Sequence, residues 1–160
     1  MLAEAGYPNG FDTELVTFDP PQWGAAVQGY LMAVGINARI VQLQVPAMVK
    51  RSLAGQNPME LGSSGSYSVN DVSAIMPGFF TFTNNDYTRD PEIKKLVEDG
   101  GAALDPDLRR KAYSAAIKLI TEKASWVPMF TQTVTYGYSK QLIFRAYPDE
   151  LPRFFLCSWK

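Results

Sequence analysis

The sequence contains no histidine, and its 160 residues include a single cysteine, Cys157. Without histidine the chain lacks the commonest general base and the commonest metal ligand, and it cannot form a Ser-His-Asp or Cys-His catalytic arrangement. One cysteine allows no internal disulfide bond. We therefore expect that this chain is not an enzyme, that it has no metal site and that it requires no cofactor.

Two further absences concern membranes and nucleic acids. No apolar run is long enough to cross a bilayer, and the first residues do not have the pattern of a signal peptide. Fifteen Lys and Arg against sixteen Asp and Glu give a formal net charge of −1. A general nucleic-acid binder needs a basic surface to neutralise phosphates, so we expect no nucleic-acid partner. P-loop and G-x-G-x-x-G motifs are also absent.

The hydrophobic residues, 46% of the chain, are enough for one sizeable core. A β-rich run at 13–18 is followed by a helical pattern that opens after Asp19 at Pro20-Pro21 and closes at Gly35, and then by a second β-rich run at 38–45. This order predicts a right-handed parallel βαβ unit. The predicted buried face of its helix comprises Trp23, Val27, Tyr30, Leu31 and Val34.

The next segment repeats the alternation of helix and strand. Pro46 opens a helix that ends at Gly55, and residues 59–61 form a short third strand. The stretch 62–71 is the most polar and flexible of the chain, and Asn70 or Asp71 is placed to cap a further helix.

Two helices later in the chain open with the same dipeptide. Asp90-Pro91 and Asp105-Pro106 each place a carboxylate where it can accept from first-turn N–H groups, with proline at the first helical position. Gly100-Gly101 is predicted to end the first helix. The apolar stripe predicted for the second comprises Leu108, Ala112, Ala116, Leu119 and Ile120. Residues 126–138 are rich in strand-forming residues.

The order of these motifs is similar to the C-terminal lobe of the family 5 extracytoplasmic solute-binding proteins, the peptide, nickel and oligosaccharide receptors of ABC importers. The matching stretches are Ala5–Phe11, Asp90–Ile93, Asp105–Arg109 with Tyr113, and Ser125–Phe130. Together these stretches cover nearly the whole chain in the expected order.

This resemblance implies an α/β fold in which a mixed sheet flanked by helices forms one lobe of a two-lobed periplasmic-binding-protein fold. Residues 1–139 would be the C-terminal lobe, and 140–160 a tail that returns to an N-terminal lobe missing from this sequence. Met1–Gly6 is typical of the last turns of a helix, so we expect the chain to be part of a longer protein.

The function implied by the resemblance is periplasmic or cell-surface capture of a small polar solute or short peptide. The solute would be trapped by hinge closure and presented to an ABC permease in the membrane. An alternative is the ligand-sensing domain of a transcriptional regulator, which a DNA-binding domain encoded upstream would distinguish.

Ligands of open parallel sheets bind beyond the carboxyl ends of the strands, where two loops of this chain qualify. One follows the first strand and the other is the polar stretch after the third. The candidate ligand-binding residues are Asp19, Trp23, Ser64, Ser66, Tyr67, Asn70 and Asp71. Each also has a structural interpretation: a solvated Gly/Ser-rich loop, a core position for Trp23, and helix caps for Asp19, Asn70 and Asp71.

Peptide-binding members of the family hold the peptide's amino group with an aspartate in the second loop. The corresponding position here is Ser66 or Tyr67, neither of which is acidic. Because an unpaired buried ammonium is costly, the usual grip on a free amino terminus is not expected. Asp71 or Asp19 could substitute, and peptides, sugars, opine-like compounds and other polar solutes all remain open.

Overall fold

The structure, a computed structural model, describes residues 1–65, 69, 71–147 and 151–160. The chain divides into two compact units, each of which has its own hydrophobic core. The first unit comprises Met1–Ser64 and Phe82–Tyr87, and the second comprises Gly65–Thr81 and Thr88–Lys160. In the described part of the chain, no helix has the length and apolarity needed to cross a membrane.

The first unit is built on a three-stranded parallel sheet with the strand order β2-β1-β3. Helix α1 connects β1 to β2, which confirms the predicted βαβ unit, and α2 connects β2 to β3. The elements in chain order are β1 Phe11–Thr17, α1 Pro21–Ala33, β2 Ile36–Gln42, α2 Val45–Leu53 and β3 Glu60–Leu61. The predicted α/β class is thereby confirmed.

The three strands end at the same level. In the register of the sheet, Thr17 at the end of β1 is paired with Gln42 of β2 and with Leu61 of β3. The residues that follow these three positions therefore leave the sheet along one edge. The placement of the predicted ligand loops depends on this alignment.

The buried face of α1 differs from the predicted one. Trp23, Val27 and Leu31 pack against the core of the sheet as expected, but Tyr30 is 80% exposed. Val34, also predicted to be buried, is exposed as well. The helix is rotated so that Gly24 faces the sheet, where an added Cβ would lie 3.6 Å from the Ile40 side chain. At about 100° per residue, this orientation turns Tyr30 away from the sheet.

Residues 82–87 join the first unit through Tyr87. Its hydroxyl donates to the carbonyl oxygen of Ser52 at 2.7 Å and lies 3.3 Å from Glu60 Oε1. The same Glu60 oxygen accepts from Ser52 Oγ at 2.6 Å and from Asn57 Nδ2 at 2.7 Å. Burial and the nearby Glu60 carboxylate raise the pKa of Tyr87, so the phenol stays protonated as a donor. This network ties the ends of α2 and β3 to the returning chain.

The second unit is helical. Its elements are a 3-10 turn Val72–Ala74, α3 Met76–Phe80, α4 Pro91–Ala102 and α5 Pro106–Glu122. Both predicted Asp-Pro caps are confirmed. Asp90 accepts from the first-turn amides of α4, and Asp105 accepts from those of α5 at 2.8 and 2.9 Å.

Two predictions about these helices were wrong, and Tyr113 explains both. Helix α4 continues through Gly100 to Ala102, because Gly100 is a packing position at which an added Cβ would lie 3.0 Å from the Tyr113 ring. Leu108, predicted to be in the buried stripe of α5, is 63% exposed, whereas Tyr113 is 4% exposed. The buried core of this unit consists of Met76, Phe80, Ile93, Val97, Tyr113, Ala116 and Ile120.

The C-terminal part of the second unit has little regular structure. Residues 126–138, which are rich in strand-forming residues, do not pair with another strand in the part of the chain that the structure describes. Strand β4 Leu142–Ile143 pairs antiparallel with β5 Ser158–Trp159, and a 3-10 turn Phe154–Leu156 precedes β5. The described tail therefore folds back on itself. The division at residue 139 stays a prediction.

Candidate functional site

The aligned strand ends bring together one buried carboxylate and polar groups from all three strands. Asp19, two residues beyond β1, is only 5% exposed. Its amide donates to Thr17 Oγ1 at 3.0 Å, and its carbonyl oxygen accepts from Gln42 Nε2 at 2.9 Å. Ser63, two residues beyond β3, donates from Oγ to Asp19 Oδ1 at 2.8 Å. Asp19 is therefore held through its backbone and through one side-chain oxygen.

The other carboxylate oxygen of Asp19, Oδ2, is buried and has no hydrogen-bond partner among the described residues. The sequence left open that Asp19 caps α1, but the N-cap residue is Pro20 and no side chain caps this helix. Asp19 directly precedes that cap, and the positive end of a helix dipole favours a nearby negative charge. The start of α1 therefore favours the negative charge of Asp19, although the Asp19 side chain does not cap the helix.

The other predicted ligand residues of the first unit have different surroundings. Trp23 is half-buried and packs against the cluster of Leu15, Ala38 and Leu61, in agreement with its interpretation as a core residue. Ser64 is exposed, and it is the neighbouring Ser63 that contacts Asp19. Three further candidates, Ser66, Tyr67 and Asn70, lie outside the described residues.

Asp71, the candidate in the second unit, is already paired. Its Oδ1 accepts from the Ser73 amide at 2.8 Å, so it caps the 3-10 turn as the sequence suggested. Arg109 donates from Nη2 to the same oxygen at 2.5 Å and from Nε to Oδ2 at 3.0 Å. These bonds from Arg109, and then those from Ser73, hold the pKa of the Asp71 carboxyl well below its usual range.

Arg109 connects three parts of the second unit. Besides Asp71, its Nη1 donates to the carbonyl oxygen of Gly100 at 2.7 Å, and its guanidinium lies 5.2 Å from the centre of the Tyr113 ring. The sequence alone did not predict this role of Arg109, because Arg109 and Asp71 are 38 residues apart. The available signal was its place four residues after the cap residue Asp105, in the first turns of α5.

We expect Arg109→Gln to lower the stability of the second unit at neutral pH. The lowered pKa of Asp71 means that its ion pair stabilises the folded state above the usual carboxyl range of about 3.9, and that this stabilisation is lost as pH falls towards the folded pKa. The wild-type advantage should therefore be full at neutral pH and shrink in acid. Urea unfolding at neutral and acidic pH measures it.

Arg110→Gln is the matched control for Arg109→Gln. Arg110 is 76% exposed, and within the described residues it pairs with Asp107, at 3.3 Å on the same helix. Such an exposed pair contributes little. Equal losses of stability from the two substitutions would contradict the role assigned to Arg109.

Comparison with known proteins gives the site its context. No family model matches the chain. The glutathione-binding protein GsiB of Escherichia coli K12 is 25% identical over 166 aligned residues, which cover 93% of this chain and 32% of that protein. The glutathione-binding protein GsiB of Shigella flexneri matches to the same extent. The chain thus spans about a third of the length of these curated relatives.

Solved structures of similar fold cover the chain more fully. A dipeptide-binding protein of Pseudoalteromonas sp. SM9913, in complex with Met-Leu, matches with a TM-score of 0.77 and 19% identity over 99% of this chain and 34% of its own. HbpA2 of Haemophilus parasuis matches with a TM-score of 0.70 and 21% identity over the same shares. DppA of Helicobacter pylori, in complex with the peptide STSA, has a TM-score of 0.65 and 22% identity over 79% of this chain and 27% of its own.

The sequence motifs, the sequence relatives and the fold agree with one another. The parallel sheet flanked by helices corresponds to one lobe of the periplasmic-binding-protein fold. The chain therefore resembles the family 5 extracytoplasmic solute-binding proteins, over about a third of the length of the relatives that it matches.

Proposed function

We propose that this chain is the C-terminal lobe of the solute-binding component of an ABC importer, and that the solute is a short peptide or another polar molecule. The observation that carries the proposal is the sequence similarity to the glutathione-binding proteins over 93% of the chain. The peptide complexes among the solved structures of similar fold support the same class of solute.

In this function the chain supplies one wall of a cleft. The aligned ends of β1, β2 and β3 form that wall, with Asp19, Gln42 and Ser63 as its polar groups. A second lobe supplies the opposite wall, and the solute favours the closed arrangement because only closure provides both sets of contacts. One lobe alone has half of the contacts, so this chain by itself binds its solute weakly. The chain contributes binding and no catalysis.

The location and partners follow from this role. The receptor works in the periplasm or at the cell surface and delivers its solute to a permease in the membrane. Residues 140–160 dock on the N-terminal lobe, and the exposed aromatic side chains of the tail are consistent with such a contact. Phe154 is 72% exposed, Phe155 is 84% exposed and Trp159 is 70% exposed, an apolar surface that suits a protein interface.

Mass spectrometry of small molecules that co-purify with the longest natural protein containing this sequence tests the proposed function. We expect a short peptide or another polar solute at close to one molecule per receptor. Release of the solute on unfolding, and its rebinding after refolding, would distinguish a ligand from a contaminant. A receptor that binds no solute, encoded together with an upstream DNA-binding domain, would contradict the importer function and support the sensor alternative.

A further inference from the structure

We infer that Asp19 is a specificity-determining residue that binds a primary ammonium group of the solute. The inference rests on the proposed function, because it assigns a role within the same cleft wall. Asp19 and Asp71 are both acidic residues at the predicted ligand loops, but their carboxylates differ in the partners that they already bind.

The position of Asp19 suits a ligand-binding residue. Asp19 lies at the carboxyl edge of the central strand of a parallel sheet, where ligands of such folds bind. Gln42 of β2 holds the backbone carbonyl of Asp19, and Ser63, two residues beyond β3, holds the carboxylate through Oδ1. A side chain fixed in this way loses little rotational freedom when it binds a partner.

One oxygen of the Asp19 carboxylate lacks a hydrogen-bond partner among the described residues. Asp19 Oδ2 is buried and no described residue donates to it. A buried carboxylate that lacks a donor is costly when it is ionised, and protonation does not remove the cost, because the new hydroxyl also needs a partner. An asparagine would keep an oxygen for Ser63 and would bury an uncharged amide, which costs less than an ionised carboxylate. A hydrogen-bond donor that arrives with the solute would therefore account for a carboxylate at position 19.

A primary ammonium group is the donor that best fits Asp19 Oδ2. An ammonium group has three N–H donors and a positive charge, so it satisfies Oδ2 and neutralises the carboxylate. Asp19 is only 5% exposed, which favours a compact primary ammonium over a guanidinium or a quaternary amine. Among the described residues no group of three or more His, Cys, Asp or Glu could hold a metal ion. A single carboxylate is a poor site for a divalent cation, which takes several oxygen ligands.

Asp71 provides the internal contrast. Both of its oxygens accept from Arg109, and one also accepts from the Ser73 amide. Its charge is compensated within the protein, so a solute cation would have to displace an arginine. Asp19 has no such competitor at Oδ2 among the described residues.

The first test measures stability in the absence of solute. Asp19→Asn keeps an oxygen for Ser63 and removes the charge, so we expect the urea midpoint of the chain to stay the same or to rise. Asp71→Asn is the matched control, which should lower the midpoint because it breaks the ion pair with Arg109. A clear fall of the midpoint for Asp19→Asn would show a structural role and overturn the inference.

The second test measures binding to the longest natural protein that contains the chain. The probes are reduced glutathione and the dipeptide Met-Leu, each compared by calorimetry with its N-acetylated form. We expect the wild type to prefer the free amine by about ten- to a hundredfold, the range for a charge-assisted hydrogen bond. Asp19→Asn should lose most of this preference, whereas a variant that retains it would overturn the inference.

The outcomes separate the inference from the proposed function. A co-purifying solute that lacks a primary amine, or equal binding of the free and acetylated probes, overturns the role of Asp19 and leaves the receptor function intact. A protein that takes up neither a co-purifying solute nor any of the probes overturns both.

Discussion

Replacement of Gly10 by alanine is expected to destabilise the first unit by about 2–5 kcal/mol. Gly10 has φ +76°, and an added Cβ would overlap the carbonyl oxygen of Gly35 and lie 2.8 Å from its carbonyl carbon. The left-handed conformation costs about 1–2 kcal/mol for a residue with a Cβ. Displacement of packed atoms typically adds about 1–3 kcal/mol, and here the displaced atoms are backbone that cannot rotate aside.

The effect extends to the sheet that carries the site. The amide of Phe11, the first residue of β1, donates to the same Gly35 oxygen at 3.2 Å. Moving that oxygen breaks the hydrogen bond at the start of the β1–β2 pairing. Urea unfolding followed by far-UV circular dichroism measures the loss, and hydrogen exchange of the β1 amides locates it.

Gly6→Ala is the matched control for Gly10→Ala. Gly6 has φ +88°, but an added Cβ would have no atom within 4 Å. It therefore incurs the conformational cost of about 1–2 kcal/mol alone. Similar losses at the two positions would contradict the close approach of Gly10 to Gly35.

Phe80→Ala is expected to destabilise the second unit by about 3–5 kcal/mol, the usual range for a buried phenylalanine. Phe80 is 1% exposed and lies in the core formed by α3, α4 and α5. Its ring centre is 5.0 Å from that of Trp126, which also meets Phe79 edge-on at 4.8 Å. Truncation therefore leaves a cavity and removes an aromatic contact.

Urea unfolding followed by tryptophan fluorescence measures the effect of Phe80→Ala, because Trp126 is next to the cavity. Phe155→Ala is the control of the same chemistry at an 84% exposed position, where we expect a change within about 0.5 kcal/mol. A small effect at Phe80 would contradict the core of the second unit. A large effect at Phe155 would show that the tail is covered.

The features predicted correctly depend on neighbours in the sequence. The Asp-Pro caps of α4 and α5 involve amides two and three residues away, so the local sequence contains the whole interaction. The βαβ unit follows from two β-rich runs separated by one helical pattern, and its handedness is general. The order of short motifs was sufficient for the family resemblance.

The features predicted wrongly depend on distant partners. Gly24 lies on the buried face of α1, where an added Cβ would be in ordinary contact with Ile40 at 3.6 Å, whereas helical spacing alone placed Tyr30 inside. Gly100 was interpreted as a helix end, but its Cα packs on Tyr113 from the next helix. Gly100 thus serves close packing, which a local pattern cannot distinguish from a helix end.

The sequence by itself determined the α/β class, the βαβ unit, the capped helices, the family resemblance and two acidic candidates at the ligand loops. Tertiary structure alone decided that Asp71 is paired with Arg109, 38 residues away, and that Asp19 is held by Ser63, 44 residues away, with one oxygen unpaired. The physical reason is that caps and periodicity arise within a few residues. Whether a carboxylate oxygen is paired or unpaired depends on which hydrogen-bond donors the whole fold brings to it.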